Sequence, residues 1–332
     1  FNYDNKPFYV KDLGVEGAIT VLLKDALNPN IVQTTEGTPA FIHCGPFANI
    51  AHGCNSVVAT KAALTYGEYA ITEAGFGADL GAEKFYDIKC QKAALNPDVA
   101  VLVVTLQSLK MHGGVPLAMI KEPGLQGVMQ GFWNLDKHVA NLRKFNQRVV
   151  VCFNRYSNDQ EEEINCVRRH CEDVLNVGFA VNNAFAEGGK GAEELARLVV
   201  DTIDKLPSGE LMPLYQLEES IETKIEKVSK EIYGAGKISY SKKAKQQLKH
   251  IKELGMEHFP VCIAKTQYSF STDANMIGPT EGFKMEIEDL VINSGAEMIV
   301  AIAGSILRMV GLPADPQANH IDIVDGHIVG LS

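Results

Sequence analysis

Val99-Ala100-Val101-Leu102-Val103-Val104-Thr105-Leu106 is the stretch that decides the fold. Its apolar residues run continuously instead of alternating with polar ones, which is typical of a strand buried on both faces of a parallel sheet. Residues 69–71 and 149–153 are apolar in the same way, and segments with helical spacing lie between the three runs. Strands that alternate with helices predict a layered α/β domain.

The same analysis of apolar spacing extends along the whole chain. It predicts helices at residues 55–65, 82–94, 125–144, 160–175, 192–206, 218–232 and 241–254. It predicts further strands at 179–181, 259–264 and 298–303, with an extended tail at 321–331. Because the strand–helix pattern restarts at residue 149, we predict a layered parallel-sheet portion at 1–148, followed by two smaller α/β units at 149–232 and 233–332.

The charge balance narrows the class of partner. The chain of 332 residues carries a formal net charge of −10, with 46% hydrophobic and 22% charged residues. A nucleic-acid-binding domain needs a basic face, so this balance argues against nucleic acid and favours small-molecule substrates. No apolar run reaches membrane-spanning length, and residues 1–4 show no signal-peptide pattern, so we predict a cytoplasmic protein without a membrane partner.

The seven cysteines lie at irregular spacings. An odd number of cysteines in mostly apolar or helical surroundings predicts reduced thiols and not a disulfide framework. Cys44 follows His43, and Cys54 lies two residues after His52, but the paired spacing of a zinc knuckle is absent. We therefore predict no metal site built from these residues.

A glycine-rich acidic segment follows the apolar run at residues 69–71. It reads Thr72-Glu73-Ala74-Gly75-Phe76-Gly77-Ala78-Asp79-Leu80-Gly81. Glycine lets the backbone approach a ligand closely or take positive φ. With Phe76 between two glycines, the second of them Gly77, the segment predicts a loop that wraps a ligand.

Carboxylates of this segment are candidates for catalysis. Glu73 and Asp79 could orient a ligand or a metal-bound nucleotide. For Asp79 the alternative role is capping of the helix that follows, where a negative charge suits the helix dipole. For Glu83 capping is the favoured role, because it falls in the first turn of that predicted helix.

Five blocks of the sequence resemble one family. They are Thr38-Pro39-Ala40-Phe41-Ile42-His43, Gly45-Pro46-Phe47-Ala48-Asn49-Ile50-Ala51-His52-Gly53, the segment 72–87, Leu109-Lys110-Met111-His112-Gly113-Gly114 and Ala264-Lys265-Thr266-Gln267-Tyr268-Ser269. In this order and at this spacing, the chain resembles the formate–tetrahydrofolate ligase (10-formyltetrahydrofolate synthetase) family over essentially all of its length. The resemblance implies that the layered parallel-sheet portion is P-loop-NTPase-like.

The resemblance also implies a reaction and its cofactors. The family joins formate to tetrahydrofolate through formyl phosphate, using ATP with Mg²⁺, and makes 10-formyltetrahydrofolate for one-carbon metabolism. A monovalent cation is a further candidate cofactor. Its phosphate loop, Gly-x-x-x-x-Gly-Lys-Ser/Thr, lies in an N-terminal region, and this motif does not occur here. We therefore expect a C-terminal part or subunit, inactive alone, that works with an N-terminal phosphate-loop half or companion chain in a homo- or hetero-oligomer.

Two catalytic candidates follow the first long strand. Where the family reads Val-Ala-Thr-x-Arg-Ala-Leu-Lys-x-His-Gly-Gly, this chain keeps Lys110 and His112 but has Gln107 at the arginine. Glutamine supplies neither the permanent charge nor the bidentate donors of arginine. Lys110 lies after a strand, at the edge where α/β sheets bind ligands, and the alternative is a surface lysine.

The ligand-binding candidates come from two further blocks. The family has Asn-Ala-Phe and then Trp-Ala-x-Gly-Gly-x-Gly, where this chain has Asn154-Arg155-Tyr156 and Phe185-Ala186-Glu187-Gly188-Gly189-Lys190-Gly191. The resemblance implies that Asn154 contacts adenine and that Tyr156 and Phe185 stack on the pterin with their aromatic faces. The remaining predicted ligand-binding residues are Gly188, Gly189, Phe76 and Gly77.

Two functions remain open from the sequence. Departures from the family at Gln107, Arg155, Phe185 and residues 310–315 all fall at ligand-facing family positions, whereas residues 45–53 are intact. The first function is the C-terminal portion of an active ligase. The alternative is a non-catalytic, degenerate family member that binds folate or stabilises an assembly as a partner subunit.

Overall fold

Two β-sheets organise the protein. The structure, a computed structural model, describes residues 2–4, 6–45, 47–48, 51–75, 77–206, 209–304, 315–324 and 327–329. One sheet has three strands, all parallel, and the other has four strands in mixed orientation. Helices lie between the strands, so the predicted α/β class is confirmed.

Short elements come before the first sheet. In chain order they are a 3-10 turn Val10–Leu13, α1 (Glu16–Leu23), a 3-10 turn Asp25–Leu27, the antiparallel hairpin β1 (Asn30–Gln33) and β2 (Pro39–Ile42), α2 (Val57–Tyr66), α3 (Gly81–Lys84) and α4 (Gln91–Ala93). A π-helical stretch, Phe85–Cys90, joins α3 to α4. The three pieces form one helical segment close to the predicted 82–94.

The parallel sheet has the strand order β3-β4-β5. Its strands and the helices between them are β3 (Ala100–Val104), α5 (Leu106–His112), a 3-10 turn Leu117–Met119, α6 (Leu125–Gln130), α7 (Phe132–Lys144), β4 (Val149–Asn154), α8 (Glu161–Arg169) with its π-helical extension His170–Val174, and β5 (Gly178–Asn182). The three strands coincide with predicted strands, because a long apolar run between two helices leaves little freedom in where the strand begins and ends.

The mixed sheet has the strand order β6-β8-β9-β7. In chain order the remaining elements are α9 (Ala184–Glu187), a 3-10 turn Gly188–Ala192, α10 (Glu193–Lys205), α11 (Ile221–Val228) with the π-helical stretch Ser229–Tyr233, β6 (Lys237–Tyr240), α12 (Lys242–Glu253), β7 (Val261–Ala264), β8 (Lys284–Asn293), β9 (Met298–Ala303), a 3-10 turn Gln317–Asn319, and the hairpin β10 (Asp322–Val324) and β11 (His327–Val329).

The predicted boundary at residue 148 falls inside the parallel sheet. Strand β3 lies on one side of it and β4 on the other, yet Val101 pairs with Val150 and Val103 with Cys152. A single buried apolar cluster also runs from the first part of the chain into the mixed sheet. The division into three units stays a prediction. In that division the first two units share one parallel sheet.

One predicted strand is absent, and β1, β2, β6 and β8 lie outside the predicted strands. Residues 69–71 form no strand, and the Ile71 side chain is 94% exposed, so the predicted strand there is wrong. A strand needs a neighbour for its backbone groups, and no described strand pairs with this run. Conversely, β8 was not predicted, although Met285 and Ile287 alternate with charged residues and are fully buried.

Glycines of the acidic loop pack backbone against backbone. A Cβ placed on Gly81 would lie 1.8 Å from the carbonyl oxygen of Gly75, and one on Gly75 would lie 2.2 Å from the Cβ of Ala48. A Cβ on Gly53 would meet the same alanine at 2.4 Å. The buried Lys84 ammonium donates to the carbonyl oxygen of Ala48. Gly75 and Gly81 therefore serve close packing within the protein, whereas the sequence had suggested contact with a ligand.

We predict that Gly81→Ala destabilises the protein strongly. The new methyl group would overlap backbone atoms, which cannot move aside as a flexible side chain can, so the loss lies at the upper end of the about 1–3 kcal/mol typical of overpacking. The control is Gly17→Ala in the exposed α1, where nothing lies within 4 Å, and about 0.5–1 kcal/mol of stabilisation is expected. Urea unfolding of both variants measures the effect, and equal stabilities would contradict the prediction.

Candidate functional site

The carboxyl ends of β3, β4 and β5 meet at one edge of the parallel sheet. Asn154 at the end of β4 pairs in register with Asn182 at the end of β5. Beyond β3, the Thr105 side chain accepts a hydrogen bond from the Ser108 N–H and begins α5. Open α/β sheets bind ligands at this edge. We call it the carboxyl edge: the residues that directly follow β3, β4 and β5.

Two aromatic side chains stand exposed at the carboxyl edge. Phe185 is 100% exposed and Tyr156 is 44% exposed. Gly188 adopts a φ of 61°, a conformation that favours glycine, and the N–H of Gly189 donates to Glu36 Oε1 at 2.8 Å. Exposed aromatic faces beside a glycine-rich turn suit the stacking of a flat ring system.

Arg155 brings a positive charge to the same edge. Its N–H donates to the carbonyl oxygen of Asn182 at 3.1 Å, and its guanidinium lies 2.7 Å from Glu161 Oε1. The side chain is partly exposed, so the guanidinium retains access to solvent. Beside it, Asp159 accepts the N–H of Tyr156, and burial raises the pKa of that carboxyl.

Lys110 is buried, and its ammonium is engaged inside the protein. The Nζ atom lies 2.8 Å from Glu163 Oε1 and donates to the carbonyl oxygen of Glu122 at 2.7 Å. The same Glu163 oxygen accepts the N–H of Gly124 at 2.7 Å. These contacts tie α5 to α8 and to the turn before α6. In this arrangement the lysine is neither the surface residue that the sequence allowed nor a free cation at the carboxyl edge.

A second cluster forms around the acidic loop. Asp79 is buried and its carboxylate lies 3.0 Å from the ammonium of the fully buried Lys265. Burial by itself would raise the pKa of Asp79, but the charges of Lys265 and His138 outweigh it and the pKa is lowered. Lys265 also donates to the carbonyl oxygen of Ser269 at 2.6 Å. Asp79 is therefore an ion-pair partner, and the helix-capping alternative is wrong because no side chain caps α3.

Two histidines face this ion pair. Burial lowers the pKa of both His112 and His138, although the charge of Asp79 works in the opposite direction. The Nδ1 atoms of both rings are buried without a hydrogen-bond partner among the described residues. Trp133 packs edge-on against His112, its Nε1–H donates to the His112 carbonyl oxygen at 3.2 Å, and Phe270 contacts both Trp133 and His138. A neutral imidazole in this position can exchange a proton with a bound group.

Glu83 and Asp87 form a buried carboxyl pair one helical turn farther along. Burial raises the pKa of Asp87 to about 8, and burial together with the nearby Asp87 raises that of Glu83 well above its usual range. Asp87 Oδ1 accepts the N–H of Leu214 at 2.8 Å. Glu83 lies in the first turn of α3 as predicted, but its carboxyl oxygens have no partner with hydrogen-bond geometry among the described residues, so it makes no capping hydrogen bond.

The acidic loop contains three more predicted site residues, Glu73, Phe76 and Gly77. Glu73 is exposed in the loop before α3. Gly77 takes a φ of 72°, and a Cβ on it would lie 3.0 Å from Asp79 Oδ1, so this glycine lets the chain turn beside the ion pair. Phe76 lies outside the described residues. Within the described part of the chain, no group of three or more His, Cys, Asp or Glu side chains is placed to hold a metal ion.

Comparison with known proteins identifies the family. The sequence matches the family described as formate–tetrahydrofolate ligase over residues 1–332. The chain belongs to the formate–tetrahydrofolate ligase family. It is 62% identical to a protein of that name from Bacteroides fragilis, 64% to one from Phocaeicola vulgatus and 59% to one from Porphyromonas gingivalis, each over all 332 residues of this chain. The chain spans 60% of the length of these relatives.

The buried cluster comprises Asp79, His112, His138 and Lys265. The candidates predicted from the sequence did not include Lys265 or His138. Lys265 lies in a block that carried the resemblance, and a lysine directly after a four-residue apolar strand is a signal that could have marked it. His138 sits on α7 among residues with ordinary helical spacing, and nothing in the sequence distinguishes it. None of the described helices combines the length and apolar character needed to cross a membrane.

We predict that Lys265→Met costs the ligase-family chain about 3–5 kcal/mol of stability, the range found when one partner of a buried ion pair is removed. The methionine fills similar space but leaves the Asp79 carboxylate buried without its counter-charge. The matched control is Lys205→Met, which breaks an exposed pair with Asp201 and should cost less than about 1 kcal/mol. Urea denaturation measures the free energy of unfolding of both variants. Comparable losses would show that the buried ion pair matters no more than the exposed one.

The buried Asp87 also predicts a pH dependence. In the unfolded chain this group ionises near its ordinary value of 3.8, whereas in the folded protein it keeps its proton up to about 8. Between these values the unfolded state binds fewer protons, so the free energy of unfolding falls as the pH rises, and the effect levels off above about 8. Asp87→Asn removes this term, while its Oδ1 can still accept the Leu214 N–H.

The free energy of unfolding of Asp87→Asn, minus that of the unsubstituted protein, should therefore rise from pH 4 to pH 8. Urea unfolding at several pH values across this interval measures the difference. Gly17→Ala, which changes no ionisable group, is the control and should give a constant difference. A constant difference for Asp87→Asn as well would show that the carboxyl group ionises equally in both states.

Proposed function

We propose that this chain is the C-terminal portion or subunit of an ATP-dependent formate–tetrahydrofolate ligase. It would make 10-formyltetrahydrofolate through formyl phosphate, in the cytoplasm, together with a portion that carries the phosphate loop. The chain spans 60% of the length of its relatives and contains no Gly-x-x-x-x-Gly-Lys-Ser/Thr motif, so the chain alone should not turn over ATP. ATP with Mg²⁺, tetrahydrofolate and a monovalent cation are the ligands of the proposed assembly.

The observation that carries the proposal is the pair of exposed aromatic side chains at the carboxyl edge. Tyr156 and Phe185 follow adjacent parallel strands, and each leaves an aromatic face open to solvent. Stacking on a pterin would bury these faces, and an aromatic contact contributes about 0.5–1.5 kcal/mol beyond its area. Asn154, at the end of β4, would present its amide to the adenine, with Gly188 and Gly189 forming the turn beside it.

The buried cluster beside the acidic loop would supply a fixed charge and a proton acceptor for the reaction. Asp79 holds Lys265 as a fixed cation, and fixed charges stabilise the negative charge that develops on phosphate and carboxyl oxygens. His112 stays neutral in its buried position and could accept a proton from the folate nitrogen. Glu73, exposed in the same loop, would orient Mg²⁺-bound nucleotide. Lys110 would act indirectly, by fixing α5 at the carboxyl edge.

A specific observation also favours the alternative, a non-catalytic partner subunit that binds folate. Among the described residues that directly follow β3 and β4, residue 107 is glutamine, Lys110 is paired with Glu163, and Arg155 is paired with Glu161. An active ligase would have to draw its phosphate-binding charge from the companion portion, from Arg155 or from the exposed Lys190 in the turn after β5. The alternative needs no such charge, because stacking of the pterin is independent of it.

The deciding experiment measures formate-dependent synthesis of 10-formyltetrahydrofolate from ATP by the assembly that contains this chain. We expect activity in the unsubstituted assembly, and an increase in KM for tetrahydrofolate of up to about tenfold in Tyr156→Ala and in Phe185→Ala, since each removes one stacking face. Phe8→Ala, which removes an exposed aromatic in the N-terminal region, is the control and should change nothing.

The variant Gln107→Arg separates the two functions. If the assembly is inactive but gains activity with Gln107→Arg, the missing guanidinium disabled a ligase site and the partner role is favoured. If the assembly binds tetrahydrofolate and stays inactive in both forms, the ligase proposal fails. If it is active without the substitution, another group supplies the charge, and Arg155→Gln then tests whether that group is Arg155.

A further inference from the structure

A positive charge accompanies each of the two exposed aromatic side chains at the carboxyl edge. Arg155 directly precedes Tyr156, and Lys190 lies in the 3-10 turn that follows Phe185 and α9. Lys190 is exposed, and the Arg155 side chain is 34% exposed. Stacking of a neutral flat ring needs neither charge, because it depends on the aromatic faces. A ligand that uses the whole edge would therefore carry negative charge beside its ring.

Hydrogen bonds of the backbone fix Arg155 and Tyr156. The Arg155 N–H donates to the carbonyl oxygen of Asn182 at 3.1 Å, one residue beyond the last register pair of β4 and β5. The Tyr156 N–H donates to Asp159 Oδ2 at 2.9 Å, and the Asp159 N–H donates to the carbonyl oxygen of Tyr156 at 3.1 Å. Because adjacent Cα atoms are about 3.8 Å apart, the guanidinium and the ring start from neighbouring, ordered positions.

The Arg155 guanidinium is held by a contact that another anion can replace. Its Nη2 atom lies 2.7 Å from Glu161 Oε1, and the Glu161 side chain is 66% exposed. Ion pairs that solvent reaches in this way contribute little to stability. A guanidinium has five N–H donors, and two parallel donors match the two oxygens of a carboxylate. A carboxylate of a ligand can therefore join or replace Glu161 at Arg155.

We propose that Arg155 binds a carboxylate of the glutamate tail of tetrahydrofolate while the pterin stacks on Tyr156 and Phe185. This rests on the proposed function, which assigns the pterin to these two rings. The glutamate tail is the flexible end of the folate and carries two carboxylates. Where this chain has Arg155, the family motif has alanine, whose side chain has no donor. Arg155 is therefore a specificity-determining residue of this chain.

A tail carboxylate suits this position better than a phosphoryl group that is being transferred. Charges that stabilise a transferred group act in a site from which water is excluded. Arg155 and Glu161 both remain accessible to solvent. Glu161 and Glu162 begin α8 and are exposed, and they repel a multiply charged phosphate more strongly than a single carboxylate. A tail that extends from the stacked ring towards solvent meets Arg155 at the margin of the site, where Glu161 competes with it.

The test measures the binding of three ligands to the assembly that contains this chain. They are tetrahydrofolate, 6-methyltetrahydropterin, which has the ring but no glutamate tail, and ATP. Each is titrated separately by isothermal titration calorimetry, with displacement titration for a weak ligand. Arg155→Gln should weaken tetrahydrofolate about three- to tenfold and leave the pterin unchanged. Glu161→Gln should strengthen tetrahydrofolate binding, because it removes the competing carboxylate.

The matched control is Arg197→Gln, which removes the exposed guanidinium of the pair between Arg197 and Glu193 on α10. It should change none of the affinities. All three variants should keep the thermal unfolding transition of the parent, because each replaced side chain is in contact with solvent. An unchanged affinity of Arg155→Gln for tetrahydrofolate, or equal losses for tetrahydrofolate and the pterin, would overturn the proposal. A loss for ATP with tetrahydrofolate unchanged would assign Arg155 to phosphate and overturn it too.

The pterin titration keeps this proposal separate from the proposed function. If neither tetrahydrofolate nor 6-methyltetrahydropterin binds, the stacking site fails and the role of Arg155 fails with it. If both bind and Arg155→Gln has no selective effect on tetrahydrofolate, the folate site stands and the role of Arg155 is rejected. Selective loss in Arg155→Gln, without synthesis of 10-formyltetrahydrofolate by the assembly, would support the role of Arg155 and reject the ligase activity.

Discussion

The buried ion pair between Asp79 and Lys265 is the interaction on which the site depends. Asp79 lies in the turn before α3, and Lys265 is the first residue after β7, so the 3.0 Å contact joins the acidic loop to the mixed sheet. Two charges removed from water are tolerated only together, since either one alone would be strongly unfavourable. The pair therefore fixes the position of the loop relative to the sheet, and the rings of His112 and His138 are held beside it.

The surroundings of this pair limit its net charge. Glu83 and Asp87 lie on the helical segment that starts beside Asp79, and their raised pKa values mean that protons neutralise them near neutral pH. If both were ionised, three carboxylates would compete for the lysines of the cluster, and the attraction between Asp79 and Lys265 would be diluted. Protonation of the carboxyl pair thus leaves Asp79 as the carboxylate that faces Lys265 and the nearby Lys84.

Features that depend on a local sequence pattern could be predicted. Features that depend on a residue far away in the sequence could not. Strands β3, β4 and β5 were found because a continuous apolar run has one preferred environment, whereas the apolar run at 69–71 has no partner among the described strands. Strand β8 shows the alternation of buried and exposed residues expected of a strand with one exposed face, but only continuous apolar runs were counted as strands. Lys110 was predicted to be a cation at the end of a strand, but it forms a buried ion pair with Glu163, which is more than fifty residues away in sequence.

The carboxyl edge could be predicted from the order of the strands, because parallel strands place their carboxyl ends together. The ion cluster could not, because it takes one side chain from the acidic loop, one from α5, one from α7 and one from the end of β7. Such a set has no common spacing in sequence. Two of the four positions were candidates from the sequence, Asp79 through the acidic segment and His112 through the family resemblance.

Gly53 and Gly75 pack against Ala48, and Gly81 packs against the backbone of Gly75, which has a consequence for ligand binding. Because no side chain would fit between these atoms, Ala48, Gly53, Gly75 and Gly81 are close-packed and constrain one another. A ligand that contacts these four residues meets atoms that are already packed together. Little conformational entropy is then lost on binding, and the affinity reflects the contacts made and not the closure of a lid.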